Sequence, residues 1–187
     1  MRAFFCFKLP QNVKKEIAAL SDEMSGEAYV KWVSIENLHI TAKFLGDTPE
    51  TQIAEIKREA KSALKGMNNF QFIIDKFGCF PDRSYPKVLW LGSSNPPVEI
   101  FSIQSKLEEN LQSIGFDKGD RDYIPHVTLG RTKEKNNRKI KKYGDNLSEY
   151  QMKESWKVDI NNLTLMESKL RSGGPIYTEV FKLELES

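Results

Sequence analysis

Histidine and cysteine are scarce: two of each in 187 residues. The four are scattered without metal-ligand spacing, so no metal site is expected. Cys6 and Cys79 both stand in apolar surroundings and read as buried free thiols, not as a disulfide or a catalytic pair. No apolar run approaches the ~18 residues a membrane helix needs. The amino-terminal apolar stretch is shorter than the roughly 7–15 residues of a signal peptide and lacks a small-residue cleavage site. A cytoplasmic protein without membrane association is therefore expected. An excess of one charge is also missing. Lys plus Arg is 28, Asp plus Glu is 26, and the net charge is +2. That balance excludes a polybasic chain that binds by bulk charge, though not a local basic patch.

What is present is globular. Hydrophobic residues make up 39% and charged residues 29%, enough for one domain of ordinary size or two small lobes sharing a core. Ala3–Phe7 is a continuous apolar run, as in a strand buried on both faces. Val13, Ile17 and Leu20 repeat at helical spacing. Tyr29–Ile35 reads as a strand. Leu38–Phe44 is the clearest alternation, with Leu38, Ile40, Ala42 and Phe44 on one side and His39, Thr41 and Lys43 on the other. Thr48-Pro49 predicts a helix start with Thr as cap, running to Leu64. Phe70–Phe77 and Lys87–Gly92 read as strands around the turn-rich Gly78–Pro86. Pro97 opens a helix with the stripe Ile100, Ile103, Leu107, Leu111 and Ile114, which Gly115 ends. Strands follow at 126–131, Trp156–Ile160, Asn162–Ser168 and Ile176–Leu185, with Gly173-Gly174-Pro175 as a turn. Between them, Arg131–Lys142 carries seven basic residues and one acid. Helices do not alternate strictly with strands, so the fold class is α+β with mainly antiparallel sheets.

Both histidines sit in one pattern, Leu38-His39-Ile40-Thr41 and Pro125-His126-Val127-Thr128. With seven threonines in the chain, the chance that both are followed so is about one in 700. The copies lie 87 residues apart, near half the chain, which suggests a duplication with one copy per lobe. In a strand, residues i and i+2 share a face, so each His stands beside its Thr while Ile40 or Val127 turns to the core. Two imidazoles facing one cleft supply an acid and a base near neutral pH. Two hydroxyls can donate to the oxygens of an anion. That set suits a phosphodiester. No nucleophilic Ser or Cys neighbours it.

These stretches resemble a known family, the RNA 2′,3′-cyclic phosphodiesterases, also called 2′-5′ RNA ligases, of the LigT-like two-histidine phosphoesterases. The resemblance rests on Arg2–Pro10, Asn37–Gly46, Val88–Gly92, Pro125–Arg131 and Leu165–Tyr177 with its Gly-Gly-Pro turn. It implies one bilobal domain over 1–187, its pseudo-symmetric lobes of antiparallel sheet and flanking helices around a central cleft, with motifs at 39–42 and 126–129. It implies a metal-independent, cofactor-free opening of an RNA terminal 2′,3′-cyclic phosphate to a 2′-phosphate, reversible as 2′-5′ ligation. His39 then matches the proton donor and His126 the proton acceptor. Thr41 and Thr128 match the phosphate-binding hydroxyls. The implied partner is an RNA bearing such an end, tRNA fragments included, and a monomer is expected.

Two further residues are RNA-binding candidates. Lys43 shares a face with His39 in strict alternation. Arg131 matches a family arginine, yet alternation from His126 turns it away unless a bulge intervenes. The 131–142 run reads either as an RNA-tracking patch or as a solvated segment. Two other functions fit the residues: a phosphodiesterase for a small nucleotide or ADP-ribose cyclic phosphate, and a non-catalytic module that binds RNA ends.

Overall fold

A computed structural model describes residues 1–24, 30–133, 136–148 and 150–187. Chain order is β1 (Arg2–Lys8), α1 (Gln11–Glu23), β2 (Val30–Trp32), β3 (His39–Asp47), α2 (Ile53–Ala63), β4 (Phe70–Ile74), β5 (Lys76–Phe80) and β6 (Val88–Gly92). Then come α3 (Val98–Gln112), β7 (His126–Thr132), α4 (Asn137–Ser148), β8 (Trp156–Ile160), β9 (Asn162–Arg171) and β10 (Gly174–Glu184). The α+β class with antiparallel sheets is as expected. Eight strands form one sheet in the order β10-β9-β1-β3-β7-β6-β5, with β2 also on β7, while β4 and β8 pair separately.

The centre of this sheet explains the cleft. β3 and β7 pair antiparallel at a single position, Ile40 with Val127. Beyond it they part, and β2 takes the place of β3 beside β7, pairing Val30–Trp32 with Thr132–Gly130. The sheet thus has two arms, β10-β9-β1-β3 and β7-β6-β5, hinged on one residue pair. Ile40 and Val127 are fully buried on the core face, with Leu89, Leu91, Leu129 and the α3 stripe Ile100, Ile103, Leu107 and Leu111. Each such side chain contributes ~1.5–3 kcal/mol by leaving water, so this layer fixes the register. β1 is buried on both faces, as its Phe-rich run predicts: Phe4, Phe5, Cys6 and Phe7 are all inside.

Several expectations differ. The 29–35 strand is only Val30–Trp32, and Tyr29 lies outside the described residues. The 70–77 strand is two strands broken at Asp75. The Asp75 carboxylate accepts from Ser94 N and Ser94 Oγ, both at 2.6 Å, an aspartate side chain substituting for the ladder. The break sends β4 to β8 and β5 to β6. Thr48 does not cap a helix: its hydroxyl donates to Gly46 O at 3.1 Å, and α2 starts five residues later, after a short 3-10 turn. The turn between β9 and β10 falls at Ser172 and Gly173, and Gly174 and Pro175 of the expected Gly-Gly-Pro turn already belong to β10, paired with Arg171 and Leu170. Gly174 holds φ +128°, a region open in practice to glycine alone.

Candidate active site

His39 opens β3 and His126 opens β7. The register at Ile40–Val127 is two-fold symmetric about that pair. It sets His39 across from Thr128 and Thr41 across from His126, with all four on the face opposite the core. Diagonal neighbours in such a pair lie on the order of 7–8 Å apart, room for a phosphate between two rings.

Both imidazoles are held alike. His39 Nδ1 donates to Asn37 O and His126 Nδ1 donates to Ile124 O, each at 2.7 Å. A carbonyl only accepts, so Nδ1 carries the proton and Nε2 is left for chemistry. His39 Nε2 accepts from the Thr41 hydroxyl at 3.1 Å. His126 Nε2 has no protein partner among the described residues. Aromatic rings back each imidazole: Phe4 (4.9 Å) and Tyr177 (5.4 Å) behind His39, Phe80 (5.2 Å) and Trp90 (5.9 Å) behind His126. This packing dries the rings. Burial pushes the His39 pKa down to about 4, against a partial lift from the Asn37 carbonyl. Burial likewise lowers that of His126, with the Ile124 carbonyl opposing. Both are therefore neutral at pH 7 in the free protein.

A cavity of about 480 Å³ adjoins them, walled by His39, Thr41, Thr128, Arg131, Phe44 and Tyr177 among others. His126 stands beside this wall, against Trp90 and Phe80.

Two bulges decide the rest. On β3 the ladder to β1 skips Ala42, so Ala42 and Lys43 both turn inward and Phe44 outward. On β7 the ladder to β6 skips Leu129, so Leu129 and Gly130 turn inward and Arg131 outward. Phe44 and Arg131 thus occupy equivalent places, five residues after each histidine, and both wall the cavity. Arg131 reaches the cleft by the bulge that strict alternation lacks. Lys43 does not reach it. It is 4% exposed, and its ammonium donates to Glu108 at 2.5 Å and to Asp117 O at 2.7 Å. The expectation that Lys43 meets RNA is corrected: the bulge turns it under α3. Phe44, expected in the core, is 72% exposed. Gly130 is the one local signal of the second bulge; a Cβ there would sit 2.7 Å from the Val30 side chain.

Of the basic run, Arg131 and Lys133 wall the cavity, whereas α4 docks Tyr143 and Leu147 into the core. Tyr150, just beyond it, meets Phe77 on the core face of β5. Among the described residues no three His, Cys, Asp or Glu side chains gather where they could hold a metal ion, and no helix is long and apolar enough to cross a membrane.

The family model for LigT-like phosphoesterases matches twice, over residues 7–90 and 91–177. The chain is 37% identical over 187 residues to the RNA 2′,3′-cyclic phosphodiesterase of Methanothermobacter thermautotrophicus, covering 98% of this chain and 99% of that one. It is 36% identical to the same-named protein of Methanocaldococcus jannaschii, covering 97% and 99%. The fold matches Escherichia coli LigT complexed with 3′-AMP with a TM-score of 0.83 at 23% identity, over 100% of this chain and 98% of that one. With one match on each half and relatives aligned over almost the full length, the chain belongs to the LigT-like phosphoesterase family.

Proposed function

We propose that this chain hydrolyses the 2′,3′-cyclic phosphate at an RNA end to a 2′-phosphate, without metal. The observation that carries the reading is the pairing of two His-x-Thr motifs across β3 and β7, with both Nδ1 atoms tied to carbonyls. The names of the relatives support the substrate.

Water attacks phosphorus and gives its proton to His126 Nε2. The bond from phosphorus to O3′ breaks, and O3′ takes a proton from His39 Nε2. Thr41 and Thr128 donate to the non-bridging oxygens. Phe44 and Arg131, which both wall the cavity, stack on the terminal base. With a ribose 5′-hydroxyl in place of water, the same steps join RNA ends by a 2′-5′ linkage. Residues 1–187 act as one bilobal, monomeric, cytoplasmic domain, one motif per arm, on RNA such as tRNA fragments. Incubation with a cyclic-phosphate RNA in the presence of a chelator is expected to yield the 2′-phosphate. A 3′-phosphate product would reverse the donor and acceptor roles, and loss of turnover on chelation would overturn the metal-free step.

A pH profile tests the acid–base pair. One imidazole must be protonated and the other neutral, and both free rings titrate below the ordinary 6.5. The expected kcat/KM therefore peaks on the acid side of pH 6.5 and falls above it, with apparent values that belong to the pair. A bound phosphate anion favours imidazolium, so the falling limb of kcat is expected at higher pH than that of kcat/KM. A kcat/KM independent of pH from 5 to 8 counts against the mechanism.

A further inference from the structure

Several cations elsewhere on this chain sit against carboxylates, as in Lys8–Glu179, Lys43–Glu108, Lys141–Asp145, Lys169–Glu167 and Lys182–Glu184. Four around the cavity do not. Lys31, Arg131, Lys133 and Arg171 all wall it, no Asp or Glu does, and none of the four makes an ion pair with a described residue. They come from three separate places: β2, the end of β7 with the residue beyond it, and the end of β9. Lys31 is the direct cross-strand partner of Arg131. Like charges directly opposite in a sheet repel, so the fold holds an unfavourable pair that an anion would relieve. The neighbouring cavity, about 520 Å³, which shares His39 and Tyr177 with this one, differs: there Lys8 and Lys14 are matched by Glu36 and Glu179.

Resting on the function proposed above, we infer that Lys31, Lys133 and Arg171 form a track for the RNA strand on the 5′ side of the reacting nucleotide. The terminal phosphate is taken by the histidines and threonines. Arg131 lies close enough to His126 and Tyr177 to perturb both, so it belongs to the terminal nucleotide. The other three cations have no role there. Their spread from β2 to the tip of the β9–β10 hairpin suits successive phosphodiesters of one strand. The track leaves the cleft on the β2 and hairpin side, away from the charge-balanced cavity. It excludes the second part of the basic run: Arg138 and Lys139 ride on α4, whose buried side packs against the opposite face of the sheet. The substrate is then an oligoribonucleotide, and a free nucleoside cyclic phosphate fills only part of the site.

The test compares a short RNA ending in a 2′,3′-cyclic phosphate with a nucleoside 2′,3′-cyclic phosphate. In the Lys31→Ala/Lys133→Ala/Arg171→Ala variant, kcat/KM for the RNA is expected to fall ~30–100-fold at low salt. The slope of log kcat/KM against log salt should shrink by about 2, at ~0.7 per phosphate contact on a single strand. The mononucleotide rate should stay within about twofold, because one terminal phosphate does not reach the track. Arg138→Ala/Lys139→Ala should change neither. Equal loss on both substrates, or loss on neither, overturns the track. If the unaltered protein opens neither substrate, the hydrolase reading fails instead. Fluorescence anisotropy with a 2′-phosphate-ended RNA then still decides the track: salt-sensitive binding weakened in the triple variant supports it, and binding unchanged by the variant overturns it.

Discussion

His39→Ala and His126→Ala are each expected to lower kcat for a cyclic-phosphate RNA by ~10²–10⁴-fold, the usual contribution of a positioned acid or base. The structure fixes the proton of each ring on Nδ1 through a carbonyl two residues earlier and leaves each Nε2 unprotonated, as a base needs. The double variant should be far less than the product of the singles, since the two act as a unit. Thr41→Val and Thr128→Val should cost less. Each removes one hydrogen bond to a charged group, about 1.5–3 kcal/mol and thus ~10–10²-fold. Stability at low pH should move in the opposite sense for His39→Ala. Folded His39 titrates near 4 against 6.5 unfolded, so the unfolded chain takes up a proton the folded one refuses. Stability is lost as pH falls through that window, and the alanine variant should lose less of it. Activity, measured on folded protein at matched concentration, decides the mechanism: turnover near wild type in either variant would falsify the two-histidine assignment.

How much of this site is legible in the sequence depends on the ladder. The duplicated His-x-Thr pattern carries the centre, because period-two alternation holds from Leu38 to Thr41 and from Pro125 to Thr128, and the core layer at Ile40 and Val127 locks both. Two residues further on, at Lys43 and Gly130, alternation fails in both strands. Lys43 and Phe44 exchange faces, and Arg131 turns out to the cleft for the same reason. Bulges arise from how neighbouring strands meet, which a single strand's pattern does not carry. The break at Asp75 hides likewise: Phe70–Phe77 is uniformly strand-like, and only the distant Ser94 shows why it divides. The split of the basic run is tertiary too. Its first cations follow β7 into the cleft, while Tyr143 and Leu147 pull the rest onto the core face. The backing rings come from Phe4 on β1, Tyr177 on β10, and Phe80 and Trp90 on the paired β5 and β6, and no local signal marks them.

Lys43→Met is expected to destabilise the fold by about 3 kcal/mol while leaving catalysis untouched. The ammonium is buried, and it neutralises Glu108, whose side chain is only 13% exposed. It also satisfies the Asp117 carbonyl beyond the end of α3. Removing one partner of a buried pair leaves the other charged and dry, a cost of about 3–5 kcal/mol. The slight exposure of Glu108 puts the expectation at the lower end. With a slope of ~2 kcal/mol per molar urea, the unfolding midpoint should drop by about 1.5 M. Lys43→Met/Glu108→Leu should recover much of the loss, because replacing both partners with apolar groups of similar size removes the stranded charge. Meanwhile kcat and KM for the cyclic-phosphate RNA should stay within about twofold, since losing a phosphate contact would show as weaker, less salt-dependent binding. A raised KM at an unchanged urea midpoint would mean that Lys43 swings out to meet RNA. The reverse pattern establishes that the bulge at Ala42 converts a residue on the catalytic strand into a strut beneath it.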